Sequence, residues 1–336
     1  MLDHAPVLYG LLWPLLVASV STGILVLRLR RPRWVVAAVL LAAGLFWFAG
    51  RIQSDLPVLS ESWSMRRALL FNAIGIWIGV GIGTRILISF LSTEGAASVR
   101  MQTELALAHN IQSTLVPQIS LNSARFEVFG ASLPSAEMGG DLVDAIERNG
   151  RLVAYVADVS GHGLPAGQLM GMLKTAMRLG VDLGHDPIAL LRNADRVLPG
   201  LKQLEMYATL ALLCFDDSME VEYSLAGHPP ILHYRNGRHD VVLLAMHQFP
   251  VGLLLNPEYT SARTPFSAGD LFCILTDGII EVANEQDEQF GLDRIQPLLR
   301  RHAAEPLPKI WEAIRSTARA HGTHRDDQSG LLVRVR

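Results

Sequence analysis

Hydrophobic positions follow three spacings along this chain. First they run together: residues 7–27, 34–50 and 68–91 are apolar stretches separated by a basic loop, Arg28-Leu29-Arg30-Arg31-Pro32-Arg33, and a polar segment, 51–67. Each stretch approaches the roughly 20 apolar residues that cross a bilayer as a helix. The first lacks the basic start and clear small-residue cleavage site of a signal peptide. The pattern therefore predicts a transmembrane region over 1–91 with about three helices. The positive-inside rule puts the four-arginine loop in the cytoplasm, and everything after residue 91 with it. Arg51, Arg66 and Arg67 weaken that bias without reversing it, and Arg85 can snorkel to the interface. The 51–67 loop has little room for a ligand-binding domain. The region reads either as an anchor or as a sensor acting through its spans, this loop or a partner.

The second regime covers 92–117. Met101, Leu105, Ala108, Ile111 and Leu115 recur every three or four residues, which predicts one apolar stripe on a helix ending before Pro117. Two such stripes can pair as a short coiled coil, giving a homodimer. The alternative is one amphipathic helix packed on the next domain.

From residue 118 the period falls to two. Strands are predicted over 126–133, 141–147, 152–158, 206–215, 220–226, 231–234, 241–245, 260–266, 271–276 and 329–334. Helices are predicted over 164–179, 187–198, 291–302 and 307–320. Arg148-Asn149-Gly150 marks a hairpin. Strand runs joined by hairpins, with helices in separate blocks, define an α+β domain over 118–336 with antiparallel sheets.

Charge divides along the same line. Residues 1–92 hold three acids and eight arginines, whereas 93–336 hold 29 acids and 21 bases. An acidic domain argues against nucleic acid as a partner and suits a site that gathers divalent cations. Cys214 and Cys273 sit alone in apolar runs, with no disulfide or zinc framework.

Three aspartates stand at the ends of apolar strand runs: Asp158, Asp277 and Asp326. Asp141 opens another strand after Gly139-Gly140. Any one of them reads as an ordinary turn former. Four in one domain read differently, because clustered carboxylates stay ionised only when a cation offsets their repulsion. All-oxygen ligands suit Mg²⁺ or Mn²⁺, and a pair of such ions activates water and neutralises a phosphoryl group. Asp144 falls off the Asp141 face by strand alternation and is a secondary candidate. Walker A, HExxH and Gly-x-Ser-x-Gly patterns are absent. Ser160 is out of frame for the last and reads as a turn residue.

The order of the motifs resembles a known family. Glu137-Met-Gly-Gly-Asp141, Ala157-Asp158-Val-Ser-Gly-His-Gly163, Met206-Tyr-Ala-Thr209, Ala226-Gly-His-Pro-Pro230, Leu275-Thr-Asp277-Gly-Ile-Ile-Glu281, Phe290-Gly291 and Asp326-Asp327-Gln-Ser329 are similar to the metal-dependent (PPM, type 2C) Ser/Thr protein phosphatases. The likeness is to the bacterial SpoIIE-type branch, and it covers about 118–336. It implies an α–β–β–α sandwich with two Mn²⁺ or Mg²⁺ ions at one end of the sheets. Asp158 would bridge the ions, the Val159 carbonyl would bind one, and Asp277 and Asp326 would hold the other. Asp141 would bind directly or through water. Gly278 would permit close backbone approach, and Asp327 would support the ligands from behind. His162 is a candidate to protonate the leaving oxygen, against a turn role, and His228 reads as structural. No arginine matches the phosphate-binding one of eukaryotic relatives, and Leu142-Val143 replace aromatics common in the family. The implied reaction is attack of metal-activated water on phosphoserine or phosphothreonine. The implied partner is a phosphorylated regulator such as an anti-sigma-factor antagonist, and the implied location is the bacterial inner membrane with the phosphatase domain in the cytoplasm. The rival is a phosphatase-like binding module without turnover, or a membrane sensor acting through protein contacts.

Overall fold

The computed structural model describes residues 110–135, 139–161, 163–198, 206–323 and 326–336, with helical positions between Phe71 and Phe90. The chain divides into two compact units, Met1–Met101 and Gln102–Arg336.

In the first unit the expectation of a multi-pass inner-membrane protein is corrected. Among the described residues no helix is long and apolar enough to cross a membrane, where a span needs about 20 continuous apolar residues. The expected spans 7–27 and 34–50 lie outside the described residues. The described part of the third includes Gly75, Gly79, Gly81 and Gly83, which weaken a helix, and Arg85, which interrupts its apolar surface. Of the helix expected over 92–117, residues 110–115 are described and are helical, ending before Pro117. The rest of it, and the pairing it was expected to mediate, lies outside the described residues.

The second unit is built on eleven described strands in two antiparallel sheets. The first sheet has six strands in the order β1 (Ile119–Asn122), β2 (Phe126–Leu133), β11 (Gln328–Val335), β10 (Leu271–Leu275), β7 (Ile231–Arg235), β8 (Asp240–Leu244). The second has five: β3 (Asp141–Arg148), β4 (Arg151–Val159), β5 (Ala208–Phe215), β6 (Glu220–Ala226), β9 (Ala262–Pro265). Helices α1 (Leu164–Asp182) and α2 (Pro187–Val197) pack on the second sheet. Helices α4 (Gly291–His302) and α5 (Leu307–His321) pack on the first, and a single turn, α3 (Asp277–Ile280), follows β10. The layers run helix, sheet, sheet, helix.

Period-two alternation explains the layering. In β10, Phe272 and Ile274 face the core between the sheets, while Leu271, Cys273 and Leu275 face α4 and α5. In β11, Leu331 and Val333 point inward and Leu332 outward. Both faces are covered, so β10 is apolar throughout and β11 is apolar over Leu331–Val333. Asn149 and Gly150 join β3 to β4 with φ of 52° and 78°, the left-handed pair that a two-residue hairpin requires. α2 begins where the Asp186 side chain accepts from Ala189 N at 2.7 Å, an N-cap that satisfies an otherwise free helix donor.

Candidate active site

The sheet register sets the site. β3 and β4 pair so that Asp141 lies opposite Asp158, and β4 and β5 so that Asp158 lies opposite Thr209. The β10 strand delivers Thr276 and Asp277 to the same end. A cleft of about 330 Å³ opens there, lined by Asp158, Thr209, Gly227, His228, Pro229, Thr276, Asp277 and Glu281. Three carboxylates share this cleft, and among the described residues its lining includes no Arg or Lys.

Burial and mutual repulsion act on the carboxyls in the same direction. Burial pushes Asp158 up to about 7, helped by the charges of Asp277, Asp326 and Asp327. Burial raises Asp277 too, with Asp326 and Glu281 adding to it. Asp141 is raised well above the carboxylate range, first by burial and then by Asp158, while the Thr276 hydroxyl opposes the shift. That hydroxyl donates to Asp141 Oδ2 at 2.9 Å.

The predicted residues separate into groups. Asp158 acts electrostatically on Asp141, Asp277 and Asp326 act on Asp158, and Asp326 acts on Asp277. Asp326 is exposed and Asp327 is buried. Val159 is held at the turn by its N–H, which donates to the Gly140 carbonyl at 3.0 Å. Gly278 has no room for a side chain, since a Cβ there would stand 2.0 Å from the Asp327 carbonyl oxygen. Asp144 is not brought to the cluster. Its carboxylate accepts from Arg178 Nε and Nη2 at 2.8 and 2.9 Å and from the Tyr155 hydroxyl at 3.2 Å. Strand alternation turned it toward α1. Ser160 is a turn residue: its N–H donates to the Tyr207 carbonyl, and its hydroxyl accepts from Tyr207 N, both at 2.9 Å. His162 lies outside the described residues.

Glu281 and Thr276 escaped the sequence reading as site residues. The signal for Glu281 was its spacing of four from Asp277, which puts both on one face of a helical turn. His228 is buried. Its Nδ1 lies 3.1 Å from the Pro229 carbonyl, and Nε2 has no hydrogen-bond partner among the described residues. Burial lowers it to about 4, so the ring is neutral at pH 7.

The donor set fits a hard divalent cation. It is all oxygen, acidic and destabilised by its own charge. Among the described residues no three such side chains already converge on one point at ligand distance, so the fit rests on the chemistry of the donors.

Two antiparallel sheets between helix layers, with an acidic cleft at one end, define a PP2C-like fold. The SiaA PP2C domain of Pseudomonas aeruginosa superposes with a TM-score of 0.61 at 22% identity, over 71% of this chain and 98% of that one. The RsbU and RsbW domains of Rv1364c from Mycobacterium tuberculosis give 0.57 at 26% identity, over 66% of this chain and 62% of that one. The chain thus spans under two thirds of that structure. In sequence, residues 148–336 match the family Stage II sporulation protein E (SpoIIE), and the chain belongs to it. The phosphoserine phosphatase RsbU of Bacillus subtilis is 24% identical over 262 residues, 76% of this chain and 78% of that protein. The enzyme class is protein-serine/threonine phosphatase of the metal-dependent type.

Proposed function

We propose that this chain hydrolyses phosphoserine or phosphothreonine on a regulatory protein, using divalent cations held by Asp158, Asp141, Asp277, Asp326 and the Val159 carbonyl. The observation that carries the reading is the shared cleft of Asp158, Asp277 and Glu281. Three carboxylates repel a phosphate dianion, so phosphate enters only with cations between. Bound there, two Mn²⁺ or Mg²⁺ ions supply charge neutralisation and an activated water.

The chain's own groups support water as the nucleophile. Cys214 and Cys273 are buried, and burial pushes the Cys214 thiol up to about 12, far from the thiolate that attack needs. The Ser160 hydroxyl is engaged by Tyr207. His228, neutral at pH 7, lacks the imidazolium proton of a good general acid. Thr276 fixes one oxygen of Asp141 by its hydrogen bond.

The substrate in this reading is a phosphorylated regulator of the anti-sigma-factor-antagonist kind, in keeping with the phosphoserine specificity that RsbU carries in its name. The phosphatase domain in this reading is 118–336, with 92–117 as a helical linker that can pair two chains. The test is phosphate release from a phosphoserine peptide by the full chain with Mn²⁺. Asp158→Ala and Asp277→Ala should each lower the rate by about 100-fold or more, the several kcal/mol such charge stabilisation provides. Turnover at the wild-type rate in both variants rejects the mechanism.

A further inference from the structure

Asp327 is buried at this end of the sheets, and both of its carboxylate oxygens accept hydrogen bonds from backbone N–H groups. It is 5% exposed. Its Oδ1 accepts from Ser135 N at 2.7 Å and from Ser135 Oγ at 3.0 Å, and its Oδ2 accepts from Gly140 N at 2.7 Å. These donors lie nearly 190 positions away in the chain, so no local turn accounts for them.

The bond from Gly140 reaches the chain neighbour of a site carboxylate, and those from Ser135 tie down the segment that follows β2. Gly140 precedes Asp141, and its carbonyl accepts from Val159 N at 3.0 Å, next to Asp158. The Asp327 carbonyl lies against Gly278, next to Asp277, and Asp326 Oδ1 accepts from Asp327 N at 2.8 Å. Three glycines admit the approach. A Cβ on Gly139 would stand 1.8 Å from Asp327 Oδ2, one on Gly140 2.3 Å from the Val159 carbonyl oxygen, and one on Gly278 2.0 Å from the Asp327 carbonyl oxygen. One side chain at the start of β11, in the first sheet, thus holds the start of β3 and the end of β4 in the second.

We propose that Asp327 is a positioning residue: its clasp on Ser135 and Gly140 sets the spacing of Asp141, Asp158 and Asp277, and through it the affinity for the divalent cation. This rests on the metal-dependent reading above. Outer groups that orient ligands typically change metal affinity 10- to 100-fold when altered. The geometry also separates affinity from chemistry, because Asp327 spends both oxygens on the loop.

The test is Mn²⁺ titration of the full chain by calorimetry, with kcat and KM measured across Mn²⁺ concentration. Asp327→Asn keeps the shape but turns an NH₂ group toward an N–H donor. It should weaken Mn²⁺ binding by about 10- to 100-fold, with kcat at saturating Mn²⁺ within about threefold of wild type. Gly139→Ala disturbs the same clasp from its other side and should do likewise, so the idea does not hang on one variant's folding. A merely structural role would lower the melting temperature and leave Mn²⁺ affinity alone. Unchanged affinity in both variants, while the wild type binds Mn²⁺, overturns the positioning role only. Loss of kcat at saturating Mn²⁺ with unchanged affinity overturns it as well. A wild-type chain that binds no Mn²⁺ overturns this inference and the reading beneath it together.

Discussion

His228 and Asp158 share one cleft and are shifted in opposite directions by the same cause. Burial disfavours charge, so it lowers an imidazole and raises a carboxyl. The His228 case gives a stability prediction with a definite sign. Its pKa falls from 6.5 to about 4 on folding, so between those values the unfolded chain binds more protons. Stability contributed by the neutral ring is complete above pH 6.5 and is lost as pH falls toward 4. The loss amounts to about 2 kcal/mol by pH 5. Urea denaturation of wild type and His228→Gln at pH 7 and pH 5 should show the variant losing less by about that amount, and parallel curves would contradict it. At this scale much of the candidate site was legible. Asp141, Asp158 and Asp277 stood out because each sits where an apolar strand meets a turn. The resemblance implied a supporting place for Asp327, but its partners Ser135 and Gly140 were not legible, because they become its neighbours only when two sheets close on each other. Burial then separated adjacent Asp326 and Asp327, which look alike in sequence.

Elements with a strong period were readable, and weak ones were not. The β3–β4 hairpin announced itself through Asn149-Gly150, and α4 through its apolar spacing. β1 was missed because Ile119-Ser-Leu-Asn122 offers only two apolar positions at a sheet edge. The turn α3 was missed because it is four residues long and begins with the site aspartate itself. Side chains also fasten elements together. Asp144 on β3 is buried, and Arg178 on α1 reaches it with two hydrogen bonds, while Lys174 Nζ lies 3.7 Å away and donates to the Leu115 carbonyl at 2.5 Å. Arg178→Ala leaves Asp144 with the Tyr155 hydroxyl, the Ala145 N–H and the more distant Lys174. Unfolding in urea should show a loss of about 1–3 kcal/mol, the cost of a buried charged group that loses a partner. Mn²⁺ affinity should stay within twofold, since the Asp144 charge is not among those acting on Asp158. A large drop in Mn²⁺ affinity would place Asp144 back in the site.

Across the whole molecule, the acidic excess of 93–336 and the two-sheet architecture meet at one end, and that junction is costly without a counter-charge. The class of fold followed from strand spacing and hairpin signals, whereas the six- and five-stranded orders did not, because β11 inserts between β2 and β10 from the far end of the chain. The expected membrane spans rested on hydropathy alone, and among the described residues no helix supports one. What the architecture does impose is a link between pH, metal and stability. Asp158 moves from 3.8 to about 7 on folding, and Asp141 and Asp277 also rise. Between those values the folded chain holds more protons than the unfolded one. Without a divalent cation, these groups make stability fall as pH rises from about 4 through 7. A cation that binds only the ionised, folded site removes the penalty. It adds about 2.7 kcal/mol when present at 100 times its Kd, and it displaces protons as it binds. Melting temperatures of the full chain at pH 5 and pH 8, with saturating Mn²⁺ or with EDTA, should show Mn²⁺ stabilising more at pH 8. Calorimetry at pH 6 in buffers of different ionisation enthalpy should detect proton release. Equal stabilisation at both pH values, with no buffer dependence, would mean that the carboxylates are already ionised without metal, and the clustered-charge account of the site would fail.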